Sequence, residues 1–432
     1  MFILGAGGFI GRRLVDEALA ANWKVKALVR SAESAQQLTA RGVEVVRGNA
    51  VSNRDWLHHL RASDVVVDLR QPKIPSRLTR GKIQEIARER QGQTHELLAA
   101  LEQIPRHERP LLLSVSGIDD LAADANGNIT STAPIREELV GFSHIGVPVR
   151  RIVKQSGTDA AYVYLASVYG PGKTFADIIM PKIANGRWRV LGDGNNRAPL
   201  VHVDDVARAL FHIAAKPRAD VLQRTFVVAD REPVSMREFF DHAARLIGAR
   251  RPGRAPLWLG SLIAGQIMVE TMTRDLVVDS TDLRASGFEF KYPTYREGLP
   301  ATLAALGYTR DRSAATGTNA GLAFTVLALA TFGLLAAENL LDFKLSVPSM
   351  LKSAGGLPLL DMRLSYSPTD AYHLLDILGE TGRASYMQLL WSVDILIPAL
   401  STLFLWMAIS RGPLKRLRPL ALIGGAADIW KI

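Results

Sequence analysis

Short apolar runs alternate with amphipathic stretches through residues 1–308. Phe2-Ile3-Leu4 leads into Gly5-Ala6-Gly7-Gly8-Phe9-Ile10-Gly11. A helical period follows, with Ile10, Leu14, Ala18 and Leu19 on one face and Arg12, Arg13, Asp16 and Glu17 elsewhere. Further apolar runs lie at 25–29, 43–46, 64–69, 111–117 and 161–165, and helical stretches at 54–60 and 83–101 separate some of them. Strands that are apolar throughout and alternate with helices predict a parallel sheet covered on both faces. The fold class expected is α/β, a Rossmann-type doubly wound sheet with a small C-terminal substrate subdomain, mainly 170–200 and 230–308. Ligands of such sheets sit at the carboxyl ends of the strands. That rim takes in Gly5 to Gly11, Arg30, Asn49, Leu69 and Ser114 to Ser116.

The pattern changes after residue 308. Residues 309–319 are small, polar and basic and read as a linker. Residues 320–337 are apolar apart from threonines, and 389–409 are apolar with Trp391 and Trp406 near the ends. A spanning helix needs about 20 apolar residues, so 320–432 reads as a transmembrane helical module with spans near 320–341 and 389–409. Arg310 and Arg312 precede the first span; Arg411, Lys415, Arg416 and Arg418 follow the second; the loop between is the more acidic. The positive-inside rule then predicts a multi-pass protein with its N-terminal domain in the cytoplasm. Glu338 closes the first span and Asp394 lies inside the second, where acids are functional candidates.

Charge and composition narrow the partners. The chain carries 52 basic and 42 acidic side chains, a formal charge of +10. No basic stripe with exposed aromatics and no helix-turn-helix or zinc pattern accompanies it, so a nucleic-acid partner is not expected. Cysteine is absent, which excludes disulfides, thiol catalysis and Cys-ligated metal, and no metal site is expected. The glycine turn suits a pyrophosphate. Gly5 permits the tight turn, Gly8 lets the backbone approach the phosphate, and Gly11 lets helix and strand pack closely. Arg30 ends the second strand where an NAD-type fold has an acid for the ribose 2′-hydroxyl, so NADP(H) is expected over NAD(H).

These segments resemble the extended and atypical short-chain dehydrogenase/reductases of the NAD(P)-dependent epimerase/dehydratase type. The glycine turn is similar to that family's G-x-x-G-F-I-G, Gly48-Asn49 to its Gly-Asp, and 64–69 to its fourth strand. Val168-Tyr169-Gly170-Pro171-Gly172, Gly192-Asp193-Gly194, 201–207, Tyr292-Pro293-Thr294 and Glu297-Gly298-Leu299 match its later segments. The resemblance covers about 1–308. Together with the rim it implies a cofactor-binding set of Gly5, Gly8, Phe9, Ile10, Gly11, Arg30, Asn49, Leu69 and Ser114, with Ser116 as the catalytic serine.

The family's Tyr-x-x-x-Lys pair is missing. Counting from Ser116, the tyrosine position falls near Phe142 and the lysine position near Gly146. Arg150 and Lys154 lie one and two helical turns further on, and a solvated basic face with Arg151 is expected of them rather than an approach to the cofactor's ribose. Asp204 or Asp205 is expected to cap the following helix, and His202 to be structural. The apolar stretch 257–269 is too short to span a bilayer and either caps a pocket or lies on a membrane surface. The expected activity is that of a membrane-anchored reductase or epimerase/dehydratase acting on a small or lipid-like molecule. The rival is a non-catalytic NADP(H)-binding scaffold or sensor attached to a membrane-protein partner.

Overall fold

The computed structural model describes residues 1–48, 57–308, 317–343, 345–363, 365–391, 393–411 and 420–422. They divide into two units, Met1–Ala314 and Ala315–Ile432. In the first, the apolar runs form β1 (Phe2–Leu4), β2 (Lys26–Val29), β3 (Glu44–Arg47), β4 (Val65–Asp68) and β5 (Leu111–Gly117), followed by strands Ala160–Leu165 and Thr225–Val228. All seven pair in parallel, in the order Thr225–Val228, Ala160–Leu165, β5, β4, β1, β2, β3. The chain winds outward from β1 to β3, then returns to β4 on the other side of β1. The carboxyl ends of β1 and β4 therefore flank a switch-point crevice.

The first five helices are α1 (Phe9–Ala20), α2 (Ala32–Thr39), α3 (Leu57–Arg61), α4 (Arg80–Glu102) and α5 (Ser143–Gln155). α1 buries Leu14 and Ala18 as its period predicts, and Gly11 and Val15 as well. Ile10 and Leu19 are only half-buried. A second core gathers Tyr169, Phe175, Val190, Phe239, Tyr295 and Leu299 from the C-terminal part of this unit. Parallel pairings of Leu200–His202 with Ser167–Tyr169 and of Gly253–Ala255 with Arg189–Leu191 hold that part together.

The second unit is helical: Gly317–Leu340, Val347–Ser353, Pro368–Leu390 and Val393–Arg411. The first and last pack side by side, with Phe324 stacked on Phe404 at 5.1 Å. Leu329 and Leu403 are exposed, and so is Phe332 although its ring meets Phe404 at 5.5 Å, so these helices carry apolar side chains outside their mutual contact too. Among the described residues one stretch, Pro368–Ile409, is long and apolar enough to cross a membrane by length and composition, and it contains the expected span near 389–409. Phe324–Leu340, within the expected span near 320–341, is apolar but shorter. The Asp394 side chain lies outside the described residues.

Candidate active site

The glycine turn is built by local geometry. Gly5 has φ +88°, and a Cβ there would lie 3.0 Å from the Leu69 carbonyl. The Gly8 N–H donates to Gly5 O at 2.9 Å, closing the turn, and Arg12 N donates to Gly8 O at 3.1 Å, opening α1. At Gly11 a Cβ would fall 2.3 Å from Gly5 O and 2.8 Å from Ala6 Cα, so the helix rides directly on the turn. The N-terminus of α1 is thereby aimed across the ends of β1 and β4, with backbone N–H groups free for an anion.

A cavity of about 400 Å³ opens there. Gly5, Gly8, Phe9, Ile10, Gly11, Arg30 and Leu69 all line it. Ser114 does not: it is buried within the sheet, paired in register with Asp68 and Tyr162. Asn49 lies outside the described residues, and its neighbour Gly48 lines the cavity. Residues not singled out in the sequence complete the wall, Ser31, Ser34, Arg70, Gln71 and Glu89 among them, together with Lys173 from the segment that the resemblance assigns to the substrate pocket.

These additions change the electrostatics. Ser31 caps α2, its hydroxyl accepting from Ser34 N at 3.2 Å, so Arg30, two serines and a helix N-terminus meet at one end. Arg70 grips Asp68 through two nitrogens at 2.8 and 3.0 Å and donates to the Gln93 carbonyl at 3.0 Å. Arg90 adds a second guanidinium to Asp68 at 2.9 Å. Burial alone would raise the Asp68 carboxyl, but the two guanidinium groups outweigh it and hold the group well below the usual range. Along the cavity itself Arg30, Arg70 and Lys173 stand against Glu89, which leaves the wall net positive. Lys173, on the far wall, has φ +53°, a conformation that a side chain adopts at some cost in about the 1–3 kcal/mol range. The neighbouring Gly172 packs on the Phe9 ring.

The residues counted from the family pattern behave differently. Ser116 is the last residue but one of β5, and its Oγ lies 2.5 Å from Asp120 Oδ2. Phe142 is half-buried at the start of α5, against Ile145, Ile83 and Ile267. A Cβ on Gly146 would sit 2.1 Å from Asp120 Oδ2 and 2.3 Å from Ser116 Oγ. Arg150 is not on a solvated face. Its guanidinium lies over the Tyr162 ring and donates to Tyr164 Oη at 3.1 Å, because the strand below α5 turns both phenols toward it. Lys154 is exposed, as expected. Burial raises the Tyr164 phenol despite Arg150, and raises Tyr169, whose hydroxyl lies 3.5 Å from Asp230 Oδ2.

Two further expectations need correction or support. The cap of helix Val203–Ala215 is His202, not Asp204 or Asp205: its Nδ1 accepts from Asp204 N at 3.2 Å. Its Nε2 then donates to Thr302 Oγ1 at 3.1 Å, and burial lowers the ring to about 4, so His202 is a neutral structural residue. Asp205 is drawn elsewhere, accepting from the backbone N–H groups of Lys291 and Tyr292 at 2.5 and 2.9 Å.

A doubly wound parallel sheet, a glycine turn under a helix N-terminus and a basic cavity at the switch point define a dinucleotide-binding protein of the Rossmann class. More particularly, the model of the NAD dependent epimerase/dehydratase family matches residues 1–229, and the chain belongs to that family. It is similar to the chloroplastic epimerase family protein SDR39U1 homolog of Arabidopsis thaliana, 23% identical over 308 residues, which are 70% of this chain and 86% of that protein. It is also similar to the 2-alkyl-3-oxoalkanoate reductase of Stenotrophomonas maltophilia, 22% identical over 277 residues, 59% of this chain and 78% of that enzyme. Among solved structures, human epimerase family protein SDR39U1 with NADPH superposes with a TM-score of 0.57 at 17% identity, covering 70% of this chain and 99% of that one. MoeE5 in complex with UDP-glucose and NAD gives 0.56 at 20% identity, covering 70% and 97%. At these identities the structures speak for the fold alone.

Proposed function

We propose that this chain is a membrane-associated, NADP(H)-dependent oxidoreductase that reduces a carbonyl group on a small or lipid-like substrate. The observation that carries the reading is the cavity at the ends of β1 and β4, with no side chain on its glycine floor and three basic residues, Arg30, Arg70 and Lys173, on its walls. Its size suits a cofactor site. The glycine turn and α1 would receive the pyrophosphate, and Arg30 with Ser31 and Ser34 the 2′-phosphate. When bound, a reduced nicotinamide supplies a hydride. Ser116, on the same carboxyl edge one strand along from β4, would hold the substrate oxygen. A curated relative is a reductase of 2-alkyl-3-oxoalkanoates, which makes 3-oxo acids the first class to try.

The membrane part rests on two features. The second unit contributes Pro368–Ile409 and the exposed apolar side chains described above. In the first unit, helix Leu257–Ala264 exposes Trp258 (69%), Leu262 (59%) and Ile263 (67%) close in sequence to the exposed Arg250, Arg251 and Arg254. That mix suits the headgroup region of an anionic bilayer. Two spans with the first unit on the cytoplasmic side follow from the charge asymmetry.

Titration of the full chain with NADPH and NADH, followed by NADPH oxidation over a panel of 3-oxo acids, simple ketones and nucleotide sugars, tests the reading. Tighter NADPH binding and turnover of a carbonyl substrate are expected. The scaffold reading has its own supporting observation, the replacement of Tyr and Lys by Phe142 and Gly146. It predicts NADPH binding with no oxidation across the panel.

A further inference from the structure

We propose that Asp120 stores the proton this site delivers and that Ser116 passes it to the oxygen of a carbonyl substrate, replacing the missing tyrosine. The proposal rests on the oxidoreductase reading above. Its ground is the geometry of one polar pair. Asp120 sits on the short turn Ile118–Asp120 after β5, 1% exposed, while Ser116 is half-buried. Ser116 Oγ lies 2.5 Å from Asp120 Oδ2, within reach for proton transfer. One end of the pair is sealed in protein and the other reaches the carboxyl edge of the sheet.

The surroundings keep the acid from being neutralised by a cation. The Asp119 carboxylate is paired with Arg274 at 2.6 Å and accepts from Phe142 N at 3.3 Å. Arg136 points its guanidinium at the carbonyls of Asp119 and Leu121, both at 3.2 Å. Arg150 is engaged by Tyr164, the register partner of Ser116. Among the described residues no basic side chain hydrogen-bonds the Asp120 carboxyl. Burial first, and then the negative charge of Asp119, push this group well above the ordinary carboxylate range against the pull of Ser116 and Arg136, which favours its protonated form. Gly146 completes the arrangement. Any Cβ at that position would occupy the carboxyl's own space. A carboxylic acid held neutral in an apolar site is one way proteins keep a hydrogen-bond donor where a phenol would serve.

The step balances. A bound reduced nicotinamide would supply a hydride to the carbonyl carbon, and the C=O π pair would move to oxygen. That oxygen takes the Ser116 hydroxyl proton, Ser116 Oγ takes the Asp120 proton, and after product leaves the carboxylate regains a proton from solvent by way of the Ser116 hydroxyl. Ser116 touches substrate; Asp120 acts through it.

Infrared difference spectroscopy of the full chain at pH 7, in detergent, reads the proton directly. We expect a protonated-carboxyl band, sensitive to deuterium exchange, in the wild type. The Asp120 band should vanish in Asp120→Asn, where the band of the buried Asp230 stays, and should shift without vanishing in Ser116→Ala. NADPH affinity should stay within about twofold in both variants, which also shows that they fold. With a 3-oxo acid, Asp120→Asn should lower kcat by about 10²-fold or more and change KM little. A wild type lacking the band, a band unmoved by Ser116→Ala, or Asp120→Asn turning over at the wild-type rate would each overturn the proposal. A wild type that binds NADPH but oxidises it with no member of the panel overturns the oxidoreductase reading instead; the infrared band then decides alone whether Asp120 holds a proton beside Ser116.

Discussion

Replacing Gly11 by alanine tests the glycine turn most severely. The added Cβ would lie 2.3 Å from Gly5 O, 2.8 Å from Ala6 Cα and 2.9 Å from Ala6 O. All three are backbone atoms of a turn already pinned by Gly5 at φ +88° and by the Gly8 N–H. No rotamer change relieves the clash, so α1 must lift off β1. Overpacking of this kind costs about 1–3 kcal/mol. At about 2–4 °C per kcal/mol for a domain of this size, the unfolding temperature should fall by roughly 2–12 °C. Dinucleotide affinity should drop at least tenfold, about 1.4 kcal/mol, since the same helix N-terminus faces the cavity. Gly92 is the internal control. It lies within α4, exposed, and a Cβ there meets nothing within 4 Å. Gly92→Ala should raise stability by about 0.5–1 kcal/mol and leave binding alone. Differential scanning fluorimetry and fluorescence titration with NADPH give both readouts. A Gly11→Ala protein that melts with the wild type and binds as tightly would mean that helix and turn do not pack as described.

Other outcomes follow from the same structure. Arg30→Asp should reverse or abolish a preference for NADPH over NADH, measured by titration; equal affinities in the wild type would end the assignment to NADP(H). Burial and the negative neighbours Asp205 and Glu297 raise Asp230 to about 9, although Tyr169 pulls the other way. The unfolded carboxyl titrates near ~4, so between about pH 4 and 9 the folded state holds one more proton and stability falls as pH rises, by at most about 1.4 kcal/mol per unit. Asp230→Asn should flatten that part of the denaturation-versus-pH curve; an unchanged slope would refute the raised carboxyl. In a chain with no native cysteine, Tyr366→Cys should react with an impermeant maleimide on intact cells and Gln37→Cys should not; the opposite pattern would invert the proposed topology.

What the sequence reveals about this site depends on how local the determinants are. The turn from Gly5 to Gly11 is legible because its constraints arise within seven residues. Arg30 is legible because βαβ spacing puts it at the end of β2. Ser34 and Arg70 are not, since each reaches the cavity through a fold that brings α2 and β4 to one rim. The expectation for Arg150 fails for a related reason. A helical wheel places it beside Arg151, but the pairing of Ser116 with Tyr164 sets two phenols beneath it, and a guanidinium prefers that aromatic face to water. The choice of Asp204 or Asp205 as cap fails because two backbone N–H groups more than eighty residues away claim the Asp205 carboxylate, leaving the ring of His202 to do the capping. Apolar periodicity finds the strands. It does not say which polar side chain a distant backbone will recruit.

The same limit bears on the missing Tyr-x-x-x-Lys pair. Counting residues suggests that Phe142→Tyr with Gly146→Lys would restore it. The structure argues against this. Phe142 packs toward Ile83, Ile145 and Ile267, so a hydroxyl there enters an apolar cluster. A lysine at 146 must first displace the Asp120 carboxyl from 2.1 Å and the Ser116 hydroxyl from 2.3 Å, both held beneath the buried face of α5. The double replacement should therefore unfold at a lower temperature, by an overpacking cost of about 1–3 kcal/mol, and show no gain in NADPH oxidation. Adding Asp120→Gly empties the space the lysine needs, so the triple replacement should recover part of the lost stability. That recovery, measured as a non-additive melting shift, is specific to direct contact between 120 and 146. Independent, additive shifts would mean that Asp120 and Gly146 do not touch, and the proton store would lose its structural basis.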